Sequence, residues 1–224
     1  MDYTLQFGQV VKYLPYLIGG AWFSLEVAFL AFCGGMVLGL FGAMGKIFGG
    51  SMIRRIVNVY VVFFTNTPLL AQIYCAFFGL ADFGILLSPY QAVLLTITLN
   101  AGAYLTEIQR AGFISAHRSE MEAAETLGMS RMQSVWYVIV PHIARVLFPP
   151  LSNYYILVVM STSMGAIFGL EELTGRALNV NSATFRSIEI FSMTAGIYVV
   201  VTITATLIIA LIGQHLFRAR LRVF

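Results

Sequence analysis

The residues with chemistry to offer in this 224-residue chain are amides, hydroxyls and phenols set into apolar runs. Thr65, Asn66 and Thr67 precede Pro68. Asn100 and Tyr104 stand four apart and so share a helix face. Asn153, Tyr154, Ser161, Thr162 and Ser163 make a stripe interrupted by ILVVM. Such groups supply weak, reversible hydrogen bonds, the kind a polar solute needs while it crosses an apolar medium. At 65–68 a structural reading competes, because proline frees a backbone carbonyl that nearby hydroxyls can satisfy. Glu26 is read most simply as a helix–helix hydrogen-bonding group, with a functional role as the alternative. Glu107 and Arg110 are expected to pair with each other. Neither His117, His142 and His215 nor Cys33 and Cys75 fall at metal-ligand spacing. The two cysteines read as buried apolar thiols. With no P-loop, GxGxxG, nucleophile elbow or HExxH, no enzyme activity and no cofactor are expected in this chain.

The elements that must position these groups are long and apolar. The chain is 59% hydrophobic and 10% charged, with a mean hydropathy of +0.85, far from the soluble range. Five segments are expected to span a membrane: Tyr16–Met44, Ile56–Leu80, Tyr90–Ile108, Val146–Gly169 and Ile190–Phe217. The first run is too long, and Asp2 and Lys12 too poor a basic region, for a cleavable signal peptide. Five spans put the termini on opposite sides. With the C-terminus inside, Lys46, Arg54, Arg55, Arg110, Arg118, Arg131, Arg145, Arg218, Arg220 and Arg222 are cytoplasmic, and only Lys12, Arg176 and Arg186 are outside. That asymmetry predicts N-out, C-in. Dispersed along loops, these charges do not suggest a nucleic-acid partner. Gly35 and Gly39 form a GxxxG expected to pack helices.

One cytoplasmic stretch, SEMEAAETLGMSRMQSVWYVIVP (119–141), breaks the apolar pattern. Ser119 and Glu122 make a capping box that starts a short helix through Leu127. Gly128 offers the left-handed position that ends it, and Ser130 with Gln133 repeats the box. The next helix carries Met132, Val135, Trp136, Ile139 and Val140 on one face, and Pro141 is expected to end it. The result is a helical elbow, either a solvated loop or a docking helix for a cytosolic partner.

Glu122-Ala123-Ala124, three residues, Gly128, nine residues, then Val138-Ile139-Val140-Pro141 resembles the EAA loop of ABC importer permeases. TPLLAQIYCAFFGL (67–80), LNAGAYLTEIQRAG (99–112), PPLSNYYI (149–156) and SATFRSIEIF (182–191) resemble the branch that carries polar amino acids. The resemblance implies an all-α permease of five transmembrane helices, one transmembrane domain over 14–217, with 119–141 as its cytoplasmic coupling loop. It implies ATPase coupling through Glu122, Ala123, Ala124, Gly128 and Pro141. It implies alternating access in a bacterial inner membrane, beside membrane lipid. The polar groups themselves, Thr65, Asn66, Asn100, Tyr104, Asn153, Ser161 and Ser163, are expected to border the path. Implied partners are two copies of a cytosolic ABC ATPase that binds ATP and Mg, a second permease chain, identical or paralogous, and a periplasmic or lipid-anchored binding protein. The outer loop 169–191 reads alone as a solvated connection, and under the resemblance as the face where that binding protein docks. Thr65 and Asn66 stand where the family often has Arg-Gly, and Met160 and Ser161 where it has Lys-Asp. Both departures remove charge, so the family's substrate contacts are not carried over there, and a non-identical partner chain is one way to supply them. The rival reading is an ATP-independent secondary transporter or channel subunit.

Overall fold

The computed structural model describes residues 4–115 and 118–217, with the side chains of 118–120 and 217 excepted. His117, Arg218, Arg220 and Arg222 therefore lie outside the described residues, as does the side chain of Ser119 that was expected to cap the elbow helix. Every regular element among the described residues is helical. A single turn, α1 (Gly8–Val11), leads into α2 (Leu14–Phe48), whose Pro15 sits in the first turn where no N–H is needed. Gly49 and Gly50 turn the chain into α3 (Ser51–Thr65). Then follows α4 (Leu69–Tyr74), which runs into a π turn at Cys75–Gly79. Next, α5 (Pro89–Ser115) opens with a capping box: the Ser88 N–H donates to Gln91 Oε1 (2.9 Å) and the Gln91 N–H to Ser88 Oγ (3.3 Å).

After α6 (Arg118–Thr126) comes one long run: α7 (Arg131–Ser134), a π turn (Val135–Ile139), α8 (Val140–Ser161) and a 3-10 stretch (Thr162–Phe168). Last are α9 (Leu173–Thr184) and α10 (Ser187–Phe217). Among the described residues, Leu14–Phe48, Arg131–Phe168 and Ser187–Leu216 are long and apolar enough to cross a membrane. Ser51–Thr65 and Leu69–Phe83 reach that measure as a pair, but they meet at 105°. The second expected span is thus broken rather than merely kinked.

The centre of the molecule is the seam between α2 and α5. Glycines let the two backbones close up: a Cβ on Gly35 would come within 2.7 Å of Ala101 Cβ, and one on Gly39 within 2.7 Å of Leu105 Cβ. Close approach at small residues is how apolar helices gain contact where lipid offers no hydrophobic contrast. Around the seam, Val27, Ala31, Ile97, Leu105, Val159 and Phe168 form one buried cluster. At one end of it Lys46 of α2 and Arg110 of α5 both pair with Glu107 of α5, Arg110 Nη2 lying 2.7 Å from Oε2. The Glu107–Arg110 pair is as expected; Lys46 is the addition.

A second cluster joins Leu17, Ala21, Leu173, Ala177 and Ile190 where α2, α9 and α10 meet. Here the solvated-connection reading of 169–191 gives way, because Glu172 and Glu189 are both fully buried. Glu172 Oε1 accepts the Gly175 N–H (2.9 Å) and caps α9. Its Oε2 accepts Ser24 Oγ–H (3.0 Å) and Tyr198 O–H (2.9 Å), tying three helices at one carboxylate. Glu189 accepts the Gln6 N–H (2.9 Å). The cysteines also differ from expectation: Cys33 and Cys75 are free and exposed, because they fall on helix faces that no other element covers.

Candidate functional site

Two interruptions of the helical pattern gather the candidate residues. The first is the break after α3. Pro68 lacks the N–H that would have bonded the Phe64 carbonyl four residues back, and its backbone is extended (φ −62, ψ 132). The freed carbonyls find donors elsewhere. The Phe64 oxygen accepts Asn100 Nδ2 (3.0 Å) and Gln72 Nε2 (3.0 Å). The Thr65 oxygen accepts the Tyr104 hydroxyl (3.3 Å), and the Thr67 oxygen accepts Gln72 Nε2 (3.1 Å). Asn100 Nδ2 also reaches Gln72 Oε1 (3.2 Å). Thus Asn100 and Tyr104, one turn apart on α5, cap the cut end of α3.

Thr65 and Asn66 turn back on their own helix, bonding the Val61 and Val62 carbonyls at 2.7 and 2.9 Å. Tyr154 of α8 lies against Tyr104 with ring centroids 5.5 Å apart, which brings α8 to the same place. Asn153 is exposed beside it. Ser161 and Ser163 are half-buried, and their hydroxyls bond the Leu157 (2.8 Å) and Met160 (2.7 Å) carbonyls. The break therefore unites Thr65, Asn66, Asn100 and Tyr104, while Ser161 and Ser163 are satisfied locally. Sequence reasoning missed Gln72 as a site residue. Its signal was available, since it lies four residues after Pro68 in a stretch otherwise apolar. Glu26 makes none of the helix–helix hydrogen bonds expected of it among the described residues, being exposed on the outer face of α2.

The second interruption is the elbow. The Met129 N–H bonds the Ala124 carbonyl (3.1 Å) and the Gly128 N–H the Glu125 carbonyl (3.0 Å). With Gly128 at φ +79, this is a Schellman ending, in which the last carbonyls of α6 are met by the backbone that follows. Nothing surrounds the position a Gly128 Cβ would take, so the demand for glycine is conformational. Two residues on, the expected second box is present: Ser130 and Gln133 exchange bonds at 2.8 and 3.4 Å. Ala124 is buried, whereas Glu122, Ala123 and Leu127 are exposed. Ala123 and Ala124 face Tyr137, Pro141 and Arg145 across a groove of about 430 Å³.

Pro141 does not end the helix that follows the elbow. The Val140 N–H bonds the Val135 carbonyl, five residues back. This π turn shifts the carbonyl register just before the proline, so the ring enters at the start of α8 without a clash. The expected apolar stripe is not a buried one: Met132 and Trp136 are exposed at 68% and 61%, whereas Ser134 is buried and Val135 and Ile139 are half-buried.

An apolar helical protein with a polar break at its centre and a closed elbow at one end is the build of a permease, and comparison gives the class. Residues 35–223 match the family described as binding-protein-dependent transport system inner membrane component. The chain belongs to this family: it is the inner-membrane permease subunit of an ABC import system. It is 33% identical over 198 residues to the glutamine transport system permease protein GlnP of Escherichia coli K12, covering 88% of this chain and 90% of that one. With the L-cystine transport system permease protein TcyB of Bacillus subtilis it shares 30% identity, covering 94% and 88%. Among solved structures, a crystal structure of an amino acid ABC transporter with histidines superposes with a TM-score of 0.87 at 31% identity, covering 95% of this chain and 100% of that one.

Proposed function

We propose that this chain carries a polar amino acid, or a close relative of one, through the membrane by alternating access, driven by ATP that a separate subunit hydrolyses. In this reading residues 14–217 form one transmembrane domain of five spans, N-terminus outside, in which α3 and α4 share the second span and α5 supplies the third. The permease is completed by a second chain, identical or paralogous. The substrate class follows the relatives, which are named for glutamine and cystine. It suits a path bordered by Thr65, Asn66, Asn100, Tyr104, Asn153, Ser161 and Ser163, where amides and hydroxyls hold a polar solute without trapping it. A binding protein delivers substrate outside, on the face where α9 exposes Leu178 and Asn179. This chain performs no chemistry of its own, and ATP and Mg belong to the ATPase.

The observation that carries the coupling role is the elbow. Residues 119–141 form the cytoplasmic loop, and α6 is a nine-residue helix too polar for lipid and too short to persist alone. It is nonetheless fixed at its exit by Gly128 and presents Glu122 and Ala123 outward. Small residues admit a partner's surface closely, and the carboxylate offers it a charge pair. Two ATPase subunits, one per permease half, pull their elbows together on binding ATP and release them on hydrolysis. Such a cycle is a two-state equilibrium biased by nucleotide and substrate.

The test is mild detergent extraction of the tagged chain from its native membrane, with mass spectrometry of what comes with it. A stoichiometric ABC ATPase is expected, and Glu122→Lys should reduce its recovery severalfold at unchanged permease yield. Recovery of ATPase that Glu122→Lys leaves untouched would remove Glu122 from the interface. A chain extracted alone with its transport intact would overturn the coupled mechanism.

A further inference from the structure

Glu26 has a carboxylate that the seam, the break and the elbow do not use. It opens on a groove of about 950 Å³ walled by α2, α8 and α10, and is the charged member of an otherwise apolar and aromatic lining that includes Phe29, Phe32, Leu151, Val201 and Ile208. Of the hydroxyls there, Ser152 is engaged with the Phe148 carbonyl (2.6 Å) and Thr204 with that of Val200 (2.7 Å), and Tyr155 adds a phenol. No hydrogen bond or ion pair reaches Glu26 from the described residues.

We infer that this groove holds a phospholipid with a primary ammonium headgroup, its acyl chain lying between the three helices and its ammonium on Glu26. Depth supports the assignment. Glu26 and Lys46 are twenty residues apart on one uninterrupted helix, about 30 Å along its axis, which matches the thickness of the hydrocarbon layer. With Lys46, Glu107 and Arg110 at one polar boundary, Glu26 stands at the other, whichever way the chain is inserted. Trp22, one turn beyond and 72% exposed, is the interfacial aromatic expected at that level. The α10 wall of the groove runs from Val200 to Ile209, about 14 Å, close to one leaflet.

Charge decides the occupant. An unpaired carboxylate at the edge of hydrocarbon is costly and finds a cation. A second copy of this chain has none to spare: residues 13–45, 56–109, 146–175 and 187–217 contain no lysine or arginine, and the outer cations are engaged, Arg176 with the Glu171 and Tyr16 carbonyls, Arg186 with Glu189 and the Thr4 carbonyl, and Lys12 over the Tyr13 ring. Phosphatidylethanolamine places an ammonium with N–H donors at this depth; phosphatidylcholine carries the same charge without donors.

The test uses the chain with its co-extracted subunits in nanodiscs of equal phosphatidylethanolamine and phosphatidylcholine, with retained lipid read by native mass spectrometry. Wild type should retain the ethanolamine lipid about tenfold over the choline lipid, the ratio one charge-assisted hydrogen bond supplies. Glu26→Gln, nearly isosteric, should bring the ratio close to one, and Ala205→Trp, which fills the groove, should release both lipids. Equal retention by wild type, or a preference that survives Glu26→Gln, would overturn the assignment. So would an Ala205→Trp protein that keeps its lipid but separates from its partner chain, because the groove would then be a protein interface.

Discussion

The chain interrupts its helices at Pro68 and at Gly128, and the two places meet their orphaned carbonyls in opposite ways. At Pro68 the donors are Asn100, Tyr104 and Gln72, brought from α5 and from beyond the break. At Gly128 the donors are the next two backbone N–H groups, with Ser130 and Gln133 restarting the helix at once. Pro68 makes the first interruption, but its carbonyls are met in part only while α5 is docked against it. The second is complete in itself and keeps its angle whatever it touches. A membrane interior suits a borrowed arrangement because water is not there to compete, while a helix with the docking role proposed for α6 needs an angle that does not depend on its neighbours.

The sharpest way to break this contrast is to remove both donors from the Phe64 carbonyl. The double substitution Asn100→Leu with Gln72→Leu should cost about 3 kcal/mol, since it strips the part-buried Phe64 carbonyl and the Thr67 carbonyl of their side-chain donors. Asn100→Leu alone should cost about 0.6 kcal/mol, the ordinary worth of a polar contact in a membrane protein, because Gln72 remains on the carbonyl; Gln72→Leu alone should cost about twice that, since the Thr67 carbonyl loses its donor as well. Thermal unfolding of the four proteins in one detergent measures this, and additivity would show that the two amides do not share the carbonyl. Gly128→Val comes next. Holding a β-branched residue at φ +79 costs about 1–2 kcal/mol, which should straighten the elbow and separate ATP hydrolysis from uptake while the chain stays in the membrane. Uptake and ATPase rates in the same vesicles check it, and normal uptake would deny the elbow its coupling role. Smallest is Tyr104→Phe, expected to cost no more than about 0.6 kcal/mol, because its bond is long and the residue is 40% exposed. A larger loss in transport than in melting temperature would place that hydroxyl on the solute's path.

The same contrast explains what was legible in the sequence. Gly128, Ser130 and Gln133 could be read directly, since every bond they make lies within five residues. The GxxxG at Gly35 and Gly39 was readable for its type, though not for its partner α5. At Pro68 the interruption was visible but the 105° turn was not, because it depends on donors 36 and 39 residues away. Pro141 misled for a local reason: a π turn inserts one residue into the helical count, which periodicity cannot register. Glu172 misled for a distant one, as Ser24 is 148 positions off and nothing around Glu172 announces that it is buried.

One feature of the seam has a mechanical meaning. α2 is held to α9 and α10 through Ser24 and the Glu172 carboxylate, zipped to α5 through Gly35 and Gly39, and fastened to α5 again where Lys46 meets Glu107. A rod anchored at both ends and along its middle does not absorb displacement; it passes it on. A push that reaches one end of α2 should therefore arrive at the other as the same push.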